Sequence, residues 1–164
     1  MKNLVRTVLL VLCFVGFAGV GQAIAQDTFM LVPGISGSST DARHSGWIEL
    51  LSLSQTLDQV AGRPQCTLNA TKLLDISGPL LWGAAITGRV FRDIRIDVVR
   101  PGDDPQVFYQ ILLTNAVVTS ISTNGSSGGY LELVTLSATS VRLNFFPQRR
   151  DGSLGTAVTS TFTC

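Results

Sequence analysis

Two patterns of apolar and polar positions alternate along this chain. An apolar run covers Val8 to Val20, interrupted only by Gly16 and Gly19. After it the apolar residues fall into short groups bounded by glycine, proline, serine and aspartate, the signature of strands and turns. Phe29–Val32 reads as a first strand, ended by a Pro33-Gly34 turn, and Trp47–Leu53 as a second. Between them Ser36–Ser45 has almost nothing apolar to bury, so it has to lie on a surface or under a partner. A hairpin loop of about ten residues is unusual in a compact domain and is often functional; a mobile loop without a role is the plainer alternative.

Ser54–Gln65 has no clear period and reads as a connection, and Cys66–Leu74 as a third strand with Leu68, Ala70 and Lys72 on one face. Asp75-Ile-Ser-Gly-Pro79 opens a helix, with Ser77 able to cap and Pro79 in the first turn, where its missing N–H costs nothing. Leu80, Leu81, Ala84 and Ala85 share a helical face, Trp82 reads as core, and Gly88 closes the helix. Val90–Val99 then alternates with period two, as an antiparallel strand with one wet face does. Arg100–Pro105 is a turn by composition, and Val107–Ser122 is a long strand expected to bend near Asn115. Thr123–Gly129 reads as a flexible loop, followed by strands over Tyr130–Ser137 and Val141–Phe146, a charged turn over Pro147–Gly155, and a closing strand over Thr156–Phe162. About eight strands and one helix predict a mainly β domain: an antiparallel β-barrel, or two packed sheets, with the helix over one end.

Composition narrows the function. The 164 residues suffice for one domain, with 45% hydrophobic and 14% charged residues and a net charge of +1. Lysine occurs only at Lys2 and Lys72, so no basic stripe marks a nucleic-acid surface. Lys2 and Arg6, the apolar run and the small-x-small Ala23-Ile24-Ala25 read as a secretory signal peptide over residues 1–25, cut before Gln26. An uncleaved anchor is the alternative, though the run is short for a span. Leu10-Val-Leu12 before Cys13 lacks the small residues that precede a lipidated cysteine. Removal of the leader takes 12 basic residues to 10 against 11 acidic and leaves a mature domain over 26–164 in the periplasm or outside the cell. Cys66 and Cys164 remain, and two cysteines in an exported protein predict one disulfide; free thiols, or a bond from Cys164 to a neighbouring subunit, stay open.

Candidate chemistry is sparse. His44 is the only histidine, with Asp41 three residues before it, but no Gly-x-Ser-x-Gly elbow supplies a nucleophile. One histidine and two distant cysteines are a poor metal set, Asp103-Asp104 reads as a solvated turn, and the Gly/Ser segment at 124–129 lacks the lysine of a phosphate loop. The reading is a non-enzyme without cofactor or metal.

Phe29-Met-Leu-Val-Pro-Gly-Ile-Ser-Gly-Ser-Ser-Thr-Asp41, His44 and Gly46-Trp-Ile-Glu-Leu-Leu-Ser52 resemble the opening of the haemolysin-coregulated proteins (Hcp), the inner-tube proteins of type VI secretion systems. Ser77-Gly-Pro-Leu-Leu81 resembles that family's single helix, and Phe108–Thr123 its central strand and exit. Gly125-Ser-Ser-Gly-Gly129, Leu133–Ser137, Phe146-Pro-Gln148 and Asp151-Gly-Ser153 follow in family order. The resemblance implies a barrel that packs side by side into hexameric rings able to stack into a tube, with self and secreted effector proteins as partners. It also implies a subunit-contact loop carrying Ser36, Ser38, Ser39, Thr40, Asp41, Arg43 and His44. Two features depart from it: the leader, and a disulfide from a terminal cysteine. They leave room for an exported monomeric binding module on the same barrel, and, with no site to support it, for a secreted enzyme.

Overall fold

The structure, a computed structural model, describes residues 26–164; the leader expected over residues 1–25 lies outside them. Nine strands and one helix follow in the order β1 (Asp27–Leu31), β2 (Ile48–Leu50), β3 (Ser52–Val60), β4 (Arg63–Leu73), α1 (Gly78–Thr87), β5 (Val90–Arg100), β6 (Gln106–Ser126), β7 (Gly129–Ala138), β8 (Ser140–Phe145) and β9 (Val158–Thr163). All ladders are antiparallel, and the main path runs β2-β1-β5-β6-β7-β4-β3, with β8 on β6 and β9 on β8.

β6 holds the two halves together. Its first part pairs with β5 and β8, and its second part with β7. The bend falls at Asn115, whose φ of 49° puts it in the left-handed region that asparagine tolerates better than most residues. The path does not close as a continuous ladder. Its two ends, β2 and β3, are instead consecutive in the chain and meet at Leu51, whose N–H donates to Thr71 O (2.7 Å). The enclosed core contains Met30, Ile48, Leu68, Ala70, Leu81, Ile94, Ile96, Ile111, Val134 and Leu136.

Four expectations need correction. Ser54–Gln65 is not a connection but most of the β3–β4 hairpin, paired from Ser52↔Thr71 to Val60↔Arg63. Nearly every β3 side chain is exposed, so the edge strand carries no burial contrast and hence no alternation to read. The turn sits at Ala61 (φ 51°) and Gly62 (φ 76°), both left-handed, as a tight two-residue hairpin requires. Thr123–Gly129 is not a free loop: β6 and β7 pair as far as Ser126↔Gly129. Leu80 and Trp82 lie on the exposed side of α1, and the helix packs through Leu81 and Ala84. Ser77 makes no side-chain cap; its hydroxyl donates to Asp75 Oδ1 (2.5 Å). Pro79 in the first turn and Gly88 at the C-terminus (φ 61°) do take the expected places.

The helix start lies above a buried ion cluster. Lys72 continues the inward row of Leu68 and Ala70, and its ammonium meets Glu132 Oε2 (2.7 Å), Asp75 Oδ1 (2.7 Å) and Leu73 O (2.8 Å). Glu132 faces it from β7 in the direct cross-strand pair Lys72↔Glu132, and both side chains are fully buried. A Cβ on Gly78 would stand 2.8 Å from the Glu132 carboxylate, so a larger residue there would have to push that carboxylate off Lys72. A buried charge left without its partner is costly. Lys72→Met is therefore expected to lose about 3–5 kcal/mol in urea unfolding, and the double variant Lys72→Met/Glu132→Leu to recover most of it. Equal losses in the two variants would mean that the cluster contributes through packing alone.

Candidate functional site

The polar segment between β1 and β2 lies on the subunit's own surface and is fastened there from behind. The turn before it has Gly34 at φ 77° and Ile35 N–H donating to Val32 O (3.0 Å), the geometry that Pro-Gly favours. The loop then pairs with its own return: Gly37 N–H donates to Gly46 O (2.8 Å), Ser39 N–H to Trp47 O (3.0 Å), and Gly46 N–H to Ser39 O (2.9 Å). Gly37 is a required close approach, since a Cβ there would fall 2.3 Å from Trp47 O. Ser38 N–H donates to Asp75 Oδ2 (3.1 Å), which ties the loop to the lysine cluster.

His44 is the loop's anchor. Its ring is stacked on Phe29 (4.4 Å between centroids, 3° apart) and meets Trp47 edge-on (4.8 Å). Nδ1 lies 2.7 Å from Asp41 Oδ1, and Nε2 lies 3.2 Å from Asp97 Oδ2 on β5. Both nitrogens are thus occupied by acids, which leaves neither to serve as base for a hydroxyl or thiol. The bond to His44 also holds the Asp41 carboxyl below its ordinary 3.8.

Asp97 carries the anchor into the sheet. It is fully buried, although in the period-two alternation of β5 it shares a face with Asp93 and Arg95, the polar side of the strand: the loop covers that face. Arg95 donates to both of its oxygens (Nε to Oδ1, 2.8 Å; Nη2 to Oδ2, 2.7 Å) and lies 5.5 Å over the Trp47 ring. Gln110 Nε2 donates to Asp97 Oδ1 (3.0 Å), Asn144 Nδ2 to Gln110 Oε1 (3.1 Å), and Thr159 Oγ1 to Asn144 Oδ1 (2.9 Å). Asp97, Gln110, Asn144 and Thr159 are register partners, so one polar row crosses β5, β6, β8 and β9 and ends on His44.

The residues expected to make subunit contacts divide into two sets. Ser39 and His44 are buried within the subunit, and Asp41 binds His44 and caps the N–H groups of Arg43 (2.9 Å) and His44 (2.8 Å). Ser36, Ser38, Thr40 and Arg43 face outward. Arg43 reaches the 100–105 turn, where it bonds Pro105 O and Asp104 Oδ1. Sequence reasoning missed Asp97, Arg95 and Gln110, because a sheet's period marks two faces but not which of them a distant loop covers.

Cys66 and Cys164 form an intrachain disulfide with Cα atoms 5.6 Å apart, closing 98 residues. Among the described residues no group of three or more His, Cys, Asp or Glu is placed to hold a metal, and no helix is long and apolar enough to cross a membrane.

Together these contacts define a self-contained antiparallel β scaffold whose buried polar groups hold a surface loop in one shape. Residues 29–145 match the family model described as type VI secretion system effector, Hcp. The chain is 31% identical over 144 residues to Protein hcp1 of Pseudomonas aeruginosa, covering 79% of this chain and 89% of that one. The chain belongs to the Hcp family. Its fold is that of Hcp1 from Salmonella typhimurium (TM-score 0.71, 23% identity, 85% of this chain and 94% of that one). A second solved structure, of a type six secretion system protein, superposes at TM-score 0.77 with 23% identity, covering 85% and 96%.

The site's acid response follows from Asp75. Burial raises its carboxyl, but hydrogen bonds from Lys72 and Ser77 outweigh burial and hold the group below its ordinary 3.8. The unfolded chain therefore takes up this proton first as pH falls. The stabilisation is complete above 3.8 and is lost below it, toward the depressed value. Melting temperatures between pH 7 and 2.5 are expected to fall less steeply below pH 4 for Asp75→Asn than for the parent, and parallel profiles would remove Asp75 from the acid response.

Proposed function

We propose that this chain is a structural subunit of the type VI secretion tube class that assembles with itself into rings of six able to stack and pass secreted proteins. The observation that carries the reading is the outward set Ser36, Ser38, Thr40 and Arg43, held rigid from behind by His44 and Asp97. A loop ordered before assembly loses less conformational freedom on docking. With most of the loop's backbone N–H groups satisfied inside the chain, the exposed side chains of Ser36, Ser38 and Thr40 are what it offers to a neighbouring subunit's surface. Family membership supports the same reading. The signal-peptide pattern of residues 1–25 supports an assembly outside the cytoplasm, in the periplasm or beyond the cell. The intrachain disulfide favours a second reading, an exported monomer that kept the barrel and lost the ring.

Light scattering on the signal-cleaved protein separates the two. A mass near six subunits is expected, falling to one subunit in Thr40→Glu while the melting temperature stays close to the parent's, since an exposed substitution typically changes stability by no more than about 0.5 kcal/mol. A parent that remains monomeric over a wide concentration range would replace the ring with the monomeric reading. A Thr40→Glu protein that still forms rings would move the contact elsewhere.

A further inference from the structure

Of the sheet's free edges, β2, β3 and β9, the last two face each other across an apolar cleft of about 190 Å³. Leu57 and Leu68 line it from β3 and β4, Leu113 and Leu143 from β6 and β8, and Phe162 from β9. β9 is weakly held. Its side chains are exposed along its whole length, and its one ladder is to β8. Two ties join the halves across the cleft. One is the exposed hydrogen bond from the Tyr109 hydroxyl to Gln55 Oε1 (3.1 Å), and the other is the Cys66–Cys164 disulfide. Cys66 lines the cleft and is buried, whereas Cys164 is only partly covered and hangs from Thr139 O through its N–H (2.9 Å).

We propose that the Cys66–Cys164 disulfide is a redox-sensitive latch on this cleft. Oxidised, it holds the end of β9 to β4 and keeps the walls at their observed spacing. Reduced, it lets β9 swing away, which widens the cleft and exposes its leucine lining, while the rest of the fold persists. Persistence follows from the contacts that do not involve sulfur: β6 runs through both halves, and the Lys72 cluster and the His44–Asp97 anchor lie in separate parts of the molecule. The reductant is a dithiol. Its thiolate attacks the more accessible Sγ, that of Cys164, and Cys66 leaves as a thiolate. The second thiol then attacks the mixed disulfide and releases Cys164. Two electrons pass to the protein, two protons complete the thiols, and the reductant becomes a cyclic disulfide.

Amide hydrogen exchange on the full signal-cleaved chain, with and without dithiothreitol and no denaturant, tests this directly. Alkylation and mass measurement confirm reduction. β9 and the cleft-facing part of β8 are expected to exchange about tenfold faster on reduction than any change seen in β1 and β5, as local opening requires. Binding of an apolar fluorescent dye should rise in parallel. Cys66→Ser/Cys164→Ser should show the open behaviour without reductant, and the reduced parent carries the test if that variant does not fold. An equal acceleration in every strand would overturn the latch, because the bond would then be a staple on global stability alone. A bond that resists dithiothreitol until the protein unfolds would overturn it as well.

Discussion

The buried carboxylate of Asp97 is the contact on which the shape of the β1–β2 loop depends. An isolated carboxylate at that depth would be strongly unfavourable, so its surroundings have to supply donors. They do so from three directions: Arg95 on its own strand, Gln110 on the next, and His44 from a loop about fifty residues earlier in sequence. Phe29 and Trp47 close the histidine between two rings, and Arg95 in turn lies over Trp47. Asp97 Oδ1 is shared by Arg95 and Gln110, and Oδ2 by Arg95 and His44, so one carboxylate ties its own strand, the next strand and the loop together. That mutual dependence turns a serine- and glycine-rich loop, which would otherwise be mobile, into a surface of fixed shape.

The Lys72 cluster performs the matching task at the helix. Lys72, Glu132 and Asp75 bring together β4, β7 and the residues before α1, and Asp75 also takes Ser38 N–H from the loop. One carboxylate therefore connects the helix start with the proposed contact loop. The two clusters use charge for positioning rather than for net stability, since a buried ion pair is not in itself more stabilising than packed apolar residues. What they add is specificity: a loop or helix shifted by one position would strand a charge.

The disulfide and the open sheet belong together. A fully closed barrel has no free edges, whereas this path ends at β2 and β3, and β9 adds another edge. Unpaired edges expose backbone groups, and a covalent tie at the end of the last strand limits how far that edge can stray. The same bond makes the opening responsive to the redox state of the surroundings.

Much of this was legible from the residues. Period-two runs located the long strands, Pro33-Gly34 its turn, Pro79 and Gly88 the helix limits, and Asn115 the bend, because each rests on local backbone preferences that no distant contact alters. The ordered family motifs led to the same fold. Tertiary structure alone decided the rest. β3 left no pattern because an exposed edge strand buries neither face. Leu80 and Leu81 are equally apolar, and only the position of the sheet beneath the helix buries the second. Asp97 reads as a solvated residue on a wet face until the loop covers it, and His44 reads as a candidate base until two acids occupy both its nitrogens. Burial of a charged group is a property of what lies across from it, and in this chain that is a loop joined to it by pairing and packing rather than by proximity in sequence.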